Sequence, residues 1–359
     1  MSFQIGPWQI PARAVLAPMA GVTDRPFRIL CRRFGAGLAA SEMITADQRL
    51  WHTTKTRQRM NHEGEPEPRV VQLAGNDPQQ LALAARANVD LGAQIIDINM
   101  GCPAKKVYGK LCGSALLGDP LLVGRILEAV VAAVNVPVTV KIRTGIDRGQ
   151  VNGVEISRIA AEAGVRAIAV HGRTRADFYQ GEAEYHTIRE IAARAQIPVI
   201  ANGDIDSAEK AQRVLDFTHA AGVMIGRGAH GSPWIFRDVN SFLENGALLP
   251  QLLRSEVRDI ILEHITALYA FHGEAAGVRI ARKHLGWYCQ QHTDTELFRP
   301  ELMAAESSSV QHAVVAVRFG LWAEACDTVD NNKNDGWEIG NGSCDESDDE
   351  EDCQATACA

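Results

Sequence analysis

Cys102 sits in Asn99-Met100-Gly101-Cys102-Pro103, where an apolar, β-branched run breaks at Gly-Cys-Pro. That break places a thiol in a loop just past the end of a strand. A free thiol, with a pKa of about 8.5, is mostly protonated near neutrality and can donate a proton. Lys141 ends the run Thr139-Val140-Lys141. An ammonium in such a place needs an anionic or carbonyl partner. His171 shares a strand end with Arg173, and a neutral imidazole can hydrogen-bond a phosphate or a carbonyl. Two further strand ends read Asn202-Gly203-Asp204 and Gly226-Arg227-Gly228. Glycine lets backbone N–H groups approach an anion, and Arg227 adds charge. The loop after Cys102 carries Lys105, Lys106 and Lys110, with Gly109, Gly113 and Ala115 as candidate hinges. It reads as a lid closing on a polyanion, or as a solvated basic loop.

These residues need a frame that brings strand ends together. Strand-like segments recur at residues 15–20, 38–44, 69–74, 95–100, 138–143, 167–171, 199–202 and 222–225, after a short hairpin over 3–10. Most are short, apolar and branched, as strands buried on both faces should be. Amphipathic helices fall between them, opened by Asp24-Arg25-Pro26, Asn76-Asp77-Pro78, Asp119-Pro120 and Ser207-Ala208-Glu209. Eight such units predict an α/β fold, a closed (β/α)8 TIM barrel, with chemistry at the C-terminal strand ends. The alternative is an open doubly wound sheet, but no GxGxxG follows the first strand. In a barrel, the loops after the seventh and eighth strands commonly hold a phosphate. Lys141 in the mouth suits the electron-rich N1/O2 side of a reduced flavin.

Composition sets limits. The 359 residues carry a formal charge of −8, unevenly placed. Residues 327–352 hold eleven acidic side chains against Lys333; without them 35 basic and 33 acidic residues remain. Charge therefore does not exclude a nucleic-acid partner, which would need local basic clusters. The eight cysteines include no CxxC pair and no compact framework. The N-terminus shows no basic-then-apolar signal, so a reduced, cytoplasmic compartment is expected. The most apolar run, 126–142, is interrupted by Glu128, Asn135 and Pro137, so no membrane span is expected. Cys344, Cys353 and Cys358 lack zinc spacing, and no metal is assigned.

Residues 251–290 read as two helices, over 254–271 and 277–288. Ile260, Ile261, Ile265 and Leu268 form the apolar face of the first. The second carries Arg279, Arg282, Lys283 and His284 beside Trp287 and Tyr288. Basic residues for phosphates with aromatics for bases make an RNA surface; the plainer reading is a solvated helix face.

Taken together, Pro18-Met19-Ala20-Gly21-Val22-Thr23-Asp24, Gln72-Leu73-Ala74-Gly75, Asp97-Ile98-Asn99-Met100-Gly101-Cys102-Pro103, Val140-Lys141-Ile142-Arg143, Val170-His171-Gly172-Arg173-Thr174 and Ile200-Ala201-Asn202-Gly203-Asp204-Ile205 resemble the tRNA-dihydrouridine synthases. Ala104-Lys105-Lys106-Val107 and Ala281-Arg282-Lys283-His284-Leu285-Gly286-Trp287-Tyr288 look most like the bacterial B subgroup. The resemblance covers residues 3–290. It implies an FMN-dependent barrel over 1–244, a helical tRNA-binding domain over 245–290, and a divergent, largely disordered acidic tail over 291–359. Cys112 stands where the family pattern has alanine. Because the resemblance fades after Tyr288, an incomplete helical domain and weaker tRNA binding are expected.

The resemblance also implies roles. Pro18, Met19 and Ala20 would line the flavin. Gln72, Lys141, Asn202, Gly203, Asp204, Gly226 and Arg227 would bind it, with His171 close by. Asn99 and Arg173 would contact the uracil, and Lys105, Lys106, Arg279, Arg282 and Lys283 the RNA. The implied reaction is reduction of uridine to 5,6-dihydrouridine in the tRNA D-loop with NADPH or NADH as reductant. A hydride passes from FMN to C6 and a proton from Cys102 to C5. No protein partner is implied. Other readings are an FMN barrel acting on a small pyrimidine, a non-catalytic RNA-binding barrel, and a phosphate-binding isomerase with Lys141 as the reactive amine.

Overall fold

A computed structural model describes residues 2–104 and 112–331. Lys105, Lys106 and Lys110 lie outside the described residues, as do residues 332–359 with the acidic tract and Cys344, Cys353 and Cys358.

The chain opens with the hairpin β1 (Phe3–Ile5) and β2 (Trp8–Ile10). Eight parallel strands follow: β3 (Ala14–Leu16), β4 (Ile44–Thr45), β5 (Val70–Ala74), β6 (Ile95–Met100), β7 (Val138–Arg143), β8 (Ala167–His171), β9 (Val199–Asn202) and β10 (Gly222–Ile225). Their order is β3-β10-β9-β8-β7-β6-β5-β4. The remaining gap is closed by residues 38–40. Leu16 N donates to Leu38 O at 2.8 Å and Leu16 bridges Ala39, while Ala40 bridges Val70. The sheet is thus a (β/α)8 barrel, with helices outside it.

Two expected strands are shorter than the sequence suggests. The one expected over 15–20 stops at Leu16, because Val22 N and Thr23 N both turn back onto Met19 O at 3.0 Å. The one expected over 38–44 is interrupted at Ser41. Its hydroxyl, not a backbone carbonyl, accepts from Gln72 N at 3.1 Å, so the ladder skips a bond there.

Strand periodicity layers the barrel interior. Inward positions start apolar, with Val15, Val70, Ile95, Ala167 and Ile200 packed against Phe3, Ile5 and Ile10 of the hairpin. Two to four residues further along β5, β6, β8 and β9, and on β7, the same face carries polar side chains: Gln72, Asp97, Thr139, Lys141, His171 and Asn202. The hairpin therefore plugs the bottom, and the chemistry lies at the top.

Outside the barrel run α1 (Arg25–Arg33), α2 (Thr54–Arg59), α3 (Pro78–Asp90), α4 (Pro120–Ala133), α5 (Gly153–Glu162), α6 (His186–Arg194), α7 (Ala208–Thr218) and α8 (Ile235–Asn245). The predicted caps are in place. Asp24, Asp77, Asp119 and Ser207 accept from Phe27, Gln80, Leu122 and Lys210 N–H at 3.1, 2.7, 2.9 and 3.1 Å, each contributing about 1 kcal/mol.

A helical region follows: α9 (Arg254–His272), α10 (Glu274–Gln291), α11 (Arg299–Ala304) and α12 (Ser308–Asn331). Helical structure does not end at 290 as expected, but continues through α11 and α12. Leu302, Val315, Phe319 and Trp322 are buried with Ile261, Ile265, Leu268, Leu285 and Tyr288 in one second core. The spacing of 315, 319 and 322 is that of one helix face, and burying each of those side chains stabilises the region by roughly 1.5–3 kcal/mol. Leu30 of α1 and Trp234 join the same core, so the helices dock on the barrel. Among the described residues no helix is long and apolar enough to cross a membrane.

Candidate active site

Strand register assembles the mouth of the barrel. Gln72 pairs with Asp97, Asp97 with Thr139, Asn99 with Lys141, Arg143 with His171, and His171 with Asn202. At the lowest polar level Asp97 accepts from Gln72 Nε2 and Thr139 Oγ1, both at 2.7 Å. Burial pushes the Asp97 carboxyl up, against these hydrogen bonds and the charge of Lys141. Gln72 is thereby committed to the scaffold, its Oε1 taking Asn99 Nδ2 at 2.8 Å.

Asn99 shapes the Cys102 turn. Its Oδ1 accepts from Gly101 N at 3.2 Å and Cys102 N at 3.0 Å, which also fixes which way the amide faces. One Nδ2 hydrogen is spent on Gln72; the other meets only Met43 Sδ, 3.9 Å away. From the far side Arg143 Nε donates to Gly101 O at 2.9 Å, and Ser114 Oγ to Cys102 O at 2.9 Å. The Cys102 thiol is half-buried at this turn.

Lys141 donates to Asn202 Oδ1 at 2.8 Å, and Asn202 is oriented by its own bond to Met224 O at 2.7 Å. Burial, aided by Arg143 and opposed by Asp97 and Cys102, lowers the Lys141 ammonium to about 8. An ammonium has three donors, so Lys141 retains capacity for a further acceptor. His171 lies among Lys141, Arg143, Arg173 and Arg227; burial first, then these cations, hold it down to about 2. It is a neutral imidazole, and Arg173 Nη1 faces its Nε2 at 3.4 Å, leaving the proton on Nδ1.

Asp204 ties two arginines together. Arg173 binds it through both arms, at 2.9 and 2.6 Å, and Arg227 adds a contact at 2.9 Å. Burial works against the Asp204 charge, but Arg173, the Ala183 N–H and Arg227 outweigh it and hold the carboxyl low. The Asp204 carboxylate thus positions the two arginines. Gly203, at φ +133°, has room for no side chain: a Cβ would lie 2.6 Å from Ala183 Cβ. The N–H groups of Gly203, Asp204, Gly226 and Arg227 meet no acceptor among the described residues. Together with the exposed Arg227 guanidinium they form a corner suited to a phosphate.

Several expectations change. Arg173 is expected to contact a uracil, but all five of its donors are used: Nε on Gln180 O, Nη2 on Gly181 O, and the rest on Asp204 and His171. It holds the β8–α6 loop instead. Arg282 is turned inward, donating to Ala305 O at 2.9 Å. Lys283 donates to Gly21 O, and Tyr288 is buried at 1 % exposure with its hydroxyl on His264. The basic stripe therefore does not face solvent as one surface; Arg279 alone of the three is exposed without a partner outside its own helix. Pro18, Met19 and Ala20 form the loop leaving β3, with Met19 partly buried against the barrel.

Sequence reasoning passed over Arg143, Asp97 and Tyr179. Arg143 is almost wholly buried and donates to Gly101, Thr174 and Phe178 carbonyls at 2.8–2.9 Å. Its signal was available, since residues 141 and 143 share the inward face of a strand. Tyr179 lies under both Arg143 and Arg227, each 5.4 Å from its ring centre; a loop position gives no periodicity by which to find it.

The comparisons with known proteins agree with this geometry. The dihydrouridine synthase (Dus) family model matches residues 15–320. A protein named tRNA-dihydrouridine synthase B from Pseudomonas syringae pv. tomato is 57 % identical over 328 residues, covering 91 % of this chain and 96 % of the relative. Proteins of the same name from Pseudomonas aeruginosa and Xanthomonas axonopodis pv. citri are 57 % and 59 % identical over 316 residues, covering 88 % of this chain and 95 % of each relative. The match runs well past residue 290, into the helices that complete the second core. On the family match and these relatives, the chain belongs to the dihydrouridine synthase family of enzymes.

Proposed function

We propose that this enzyme reduces uridine to 5,6-dihydrouridine in the D-loop of tRNA, using FMN and NADPH or NADH, in the cytoplasm. The observation that carries the reading is the pairing of Lys141 with Asn202, beside the Asn99-held Cys102 turn, at one barrel mouth. It sets a cation with spare donors beside the turn that carries the Cys102 thiol.

The residues present fit FMN. Open N–H groups at Gly203, Asp204, Gly226 and Arg227, with the Arg227 guanidinium, suit its phosphate. Lys141 suits the electron-rich edge of its ring, and Pro18, Met19 and Ala20 would lie against it. When bound, the flavin supplies the hydride that adds to uracil C6. Cys102 Sγ–H gives the proton that C5 needs as negative charge develops there. The spare Asn99 Nδ2–H donates to a uracil carbonyl and stabilises the enolate-like charge. Arg143 holds the Cys102 turn, and His171 donates from Nδ1 to the phosphate side. The target base must leave its loop stack to reach the mouth, which costs least in a single-stranded loop. Arg279, with Lys105 and Lys106, would meet RNA phosphates.

The test is incubation of the protein with FMN, NADPH and tRNA lacking dihydrouridine, comparing wild type with Cys102→Ala. Turnover in the variant should fall by about 10²–10⁴ while flavin remains bound. Full activity in the variant removes Cys102 from the proton-donor role, and wild-type protein that takes up no FMN removes the reading altogether.

A further inference from the structure

We propose that Lys283, in the helical region, is a positioning residue for the cofactor site, so that α10 helps to build that site. The inference rests on the flavin reading above.

Residues 283, 287 and 291 follow one another at intervals of a helical turn and form one stripe of α10. That stripe faces the barrel mouth. Lys283 Nζ donates to Gly21 O, in the loop between β3 and α1. Trp287 stacks on His230, with ring centres 3.8 Å apart and planes within 14°. Gln291 Nε2 donates to His230 O at 3.2 Å. The Trp287 carbonyl approaches Gly231 so closely that a Cβ there would lie 2.3 Å from it, and Gly231 has φ +67°. The two loops touched, after β3 and after β10, leave paired neighbouring strands. One helix face therefore spans the seam between the loop proposed to line the flavin and the loop proposed to hold its phosphate.

The Gly21 peptide is gripped at both ends. Its N–H donates to Glu42 Oε1 at 2.5 Å, and the same oxygen takes Arg59 Nη2 at 2.9 Å. Its carbonyl takes the Lys283 ammonium. On one side Met19 N donates to Thr23 Oγ1 at 2.9 Å. On the other, Arg28 Nη1 donates to Thr23 O at 2.7 Å, and His272 Nε2 lies 2.7 Å from Asp24 Oδ2. The backbone of Met19, Ala20 and Gly21 is thus set by bonds on either flank, and only the Lys283 and His272 bonds come from the helical region. A lysine serving RNA alone would turn its ammonium to solvent. Here Lys283, although exposed, places one of its three donors on a backbone carbonyl beside the proposed flavin site, with its charge also 5.6 Å from the Trp287 ring centre.

The test compares wild type, Lys283→Met and Lys283→Arg as apo-protein titrated with FMN, reading affinity by flavin fluorescence and the absorption bands of the bound flavin. Lys283→Met should weaken FMN binding about tenfold, the loss of one charge-assisted hydrogen bond, and shift the bands. Lys283→Arg, which restores a donor to Gly21 O, should recover most of the affinity. Unchanged FMN affinity and bands in Lys283→Met, or a loss confined to KM for tRNA, overturns the inference. Failure of wild type to bind FMN would instead overturn the flavin reading. If Lys283→Met does not fold, Lys283→Gln against Lys283→Arg decides: equal FMN affinities overturn the proposal, and tighter binding by the arginine variant supports it.

Discussion

Lys141 Nζ reaches over β8 to donate to Asn202 Oδ1 at 2.8 Å, although β7 and β9 are not neighbours in the sheet. The residue between them is Ala169, paired with Lys141 on one side and Ile200 on the other. A methyl group at that position leaves the space the lysine crosses, and a longer inward side chain would fill it.

The charge of Lys141 is tunable. Burial brings its ammonium down to about 8. In the ligand-free protein the charge is present below that value and lost above it, so anion affinity should fall as pH rises past 8, by up to about tenfold per unit for one linked proton. FMN titrations between pH 7 and 9.5 measure this. Lys141→Met should bind more weakly throughout and lose the pH dependence in that range.

Asn99 supports the Cys102 turn through its amide oxygen. Asn99→Ala strips the partner from the Gly101 and Cys102 N–H groups and from Gln72 Oε1. It should cost about 1–3 kcal/mol per group left buried and unsatisfied, seen as a lower denaturation midpoint. Turnover should fall further than FMN affinity, because the turn carries the thiol.

His264 is buried between Phe27, His284 and Tyr288, its Nδ1 3.1 Å from the Tyr288 hydroxyl. Burial holds its pKa down to about 4, opposed by Asp24 and Glu263. The unfolded chain takes up the proton near 6.5. Below that pH the unfolded state binds more protons than the native state, so stability falls as pH drops from 6.5 towards 4, by up to ~1.4 kcal/mol per unit for this group. His171, His230 and His284 are depressed in the same direction and steepen the fall. Denaturant midpoints between pH 4.5 and 7 measure the slope, and His264→Gln should flatten it.

Phe319 tests the extent of the helical region. It is fully buried, with ring contacts to Phe298 and Trp322 at 5.9 and 5.8 Å. Phe319→Ala should cost about 3–5 kcal/mol, measured by chemical denaturation. A cost near zero would mean that α12 adds no core.

Much of the site is legible in the sequence. Cys102, Lys141, His171, Asn202 and Arg227 stand at strand ends because polar residues break short apolar runs there, and in a parallel barrel every such break lies on one face. The helices after 290 were missed because no family motif stands out after Tyr288, although the family match runs to residue 320 and residues 315, 319 and 322 already repeat with the period of a helix.

From the sequence alone follow the barrel, the family resemblance, and the inward or outward side of each strand residue, since a strand's period of two is a local property. Only the tertiary structure decided how each polar group is occupied. Arg173 has its donors filled by Asp204, His171 and loop carbonyls, Lys283 places a donor on Gly21, and Lys141 and Arg227 keep donors over for an anion. A hydrogen bond is a relation between residues far apart in the chain. Periodicity states which way a side chain points, but not what waits for it there.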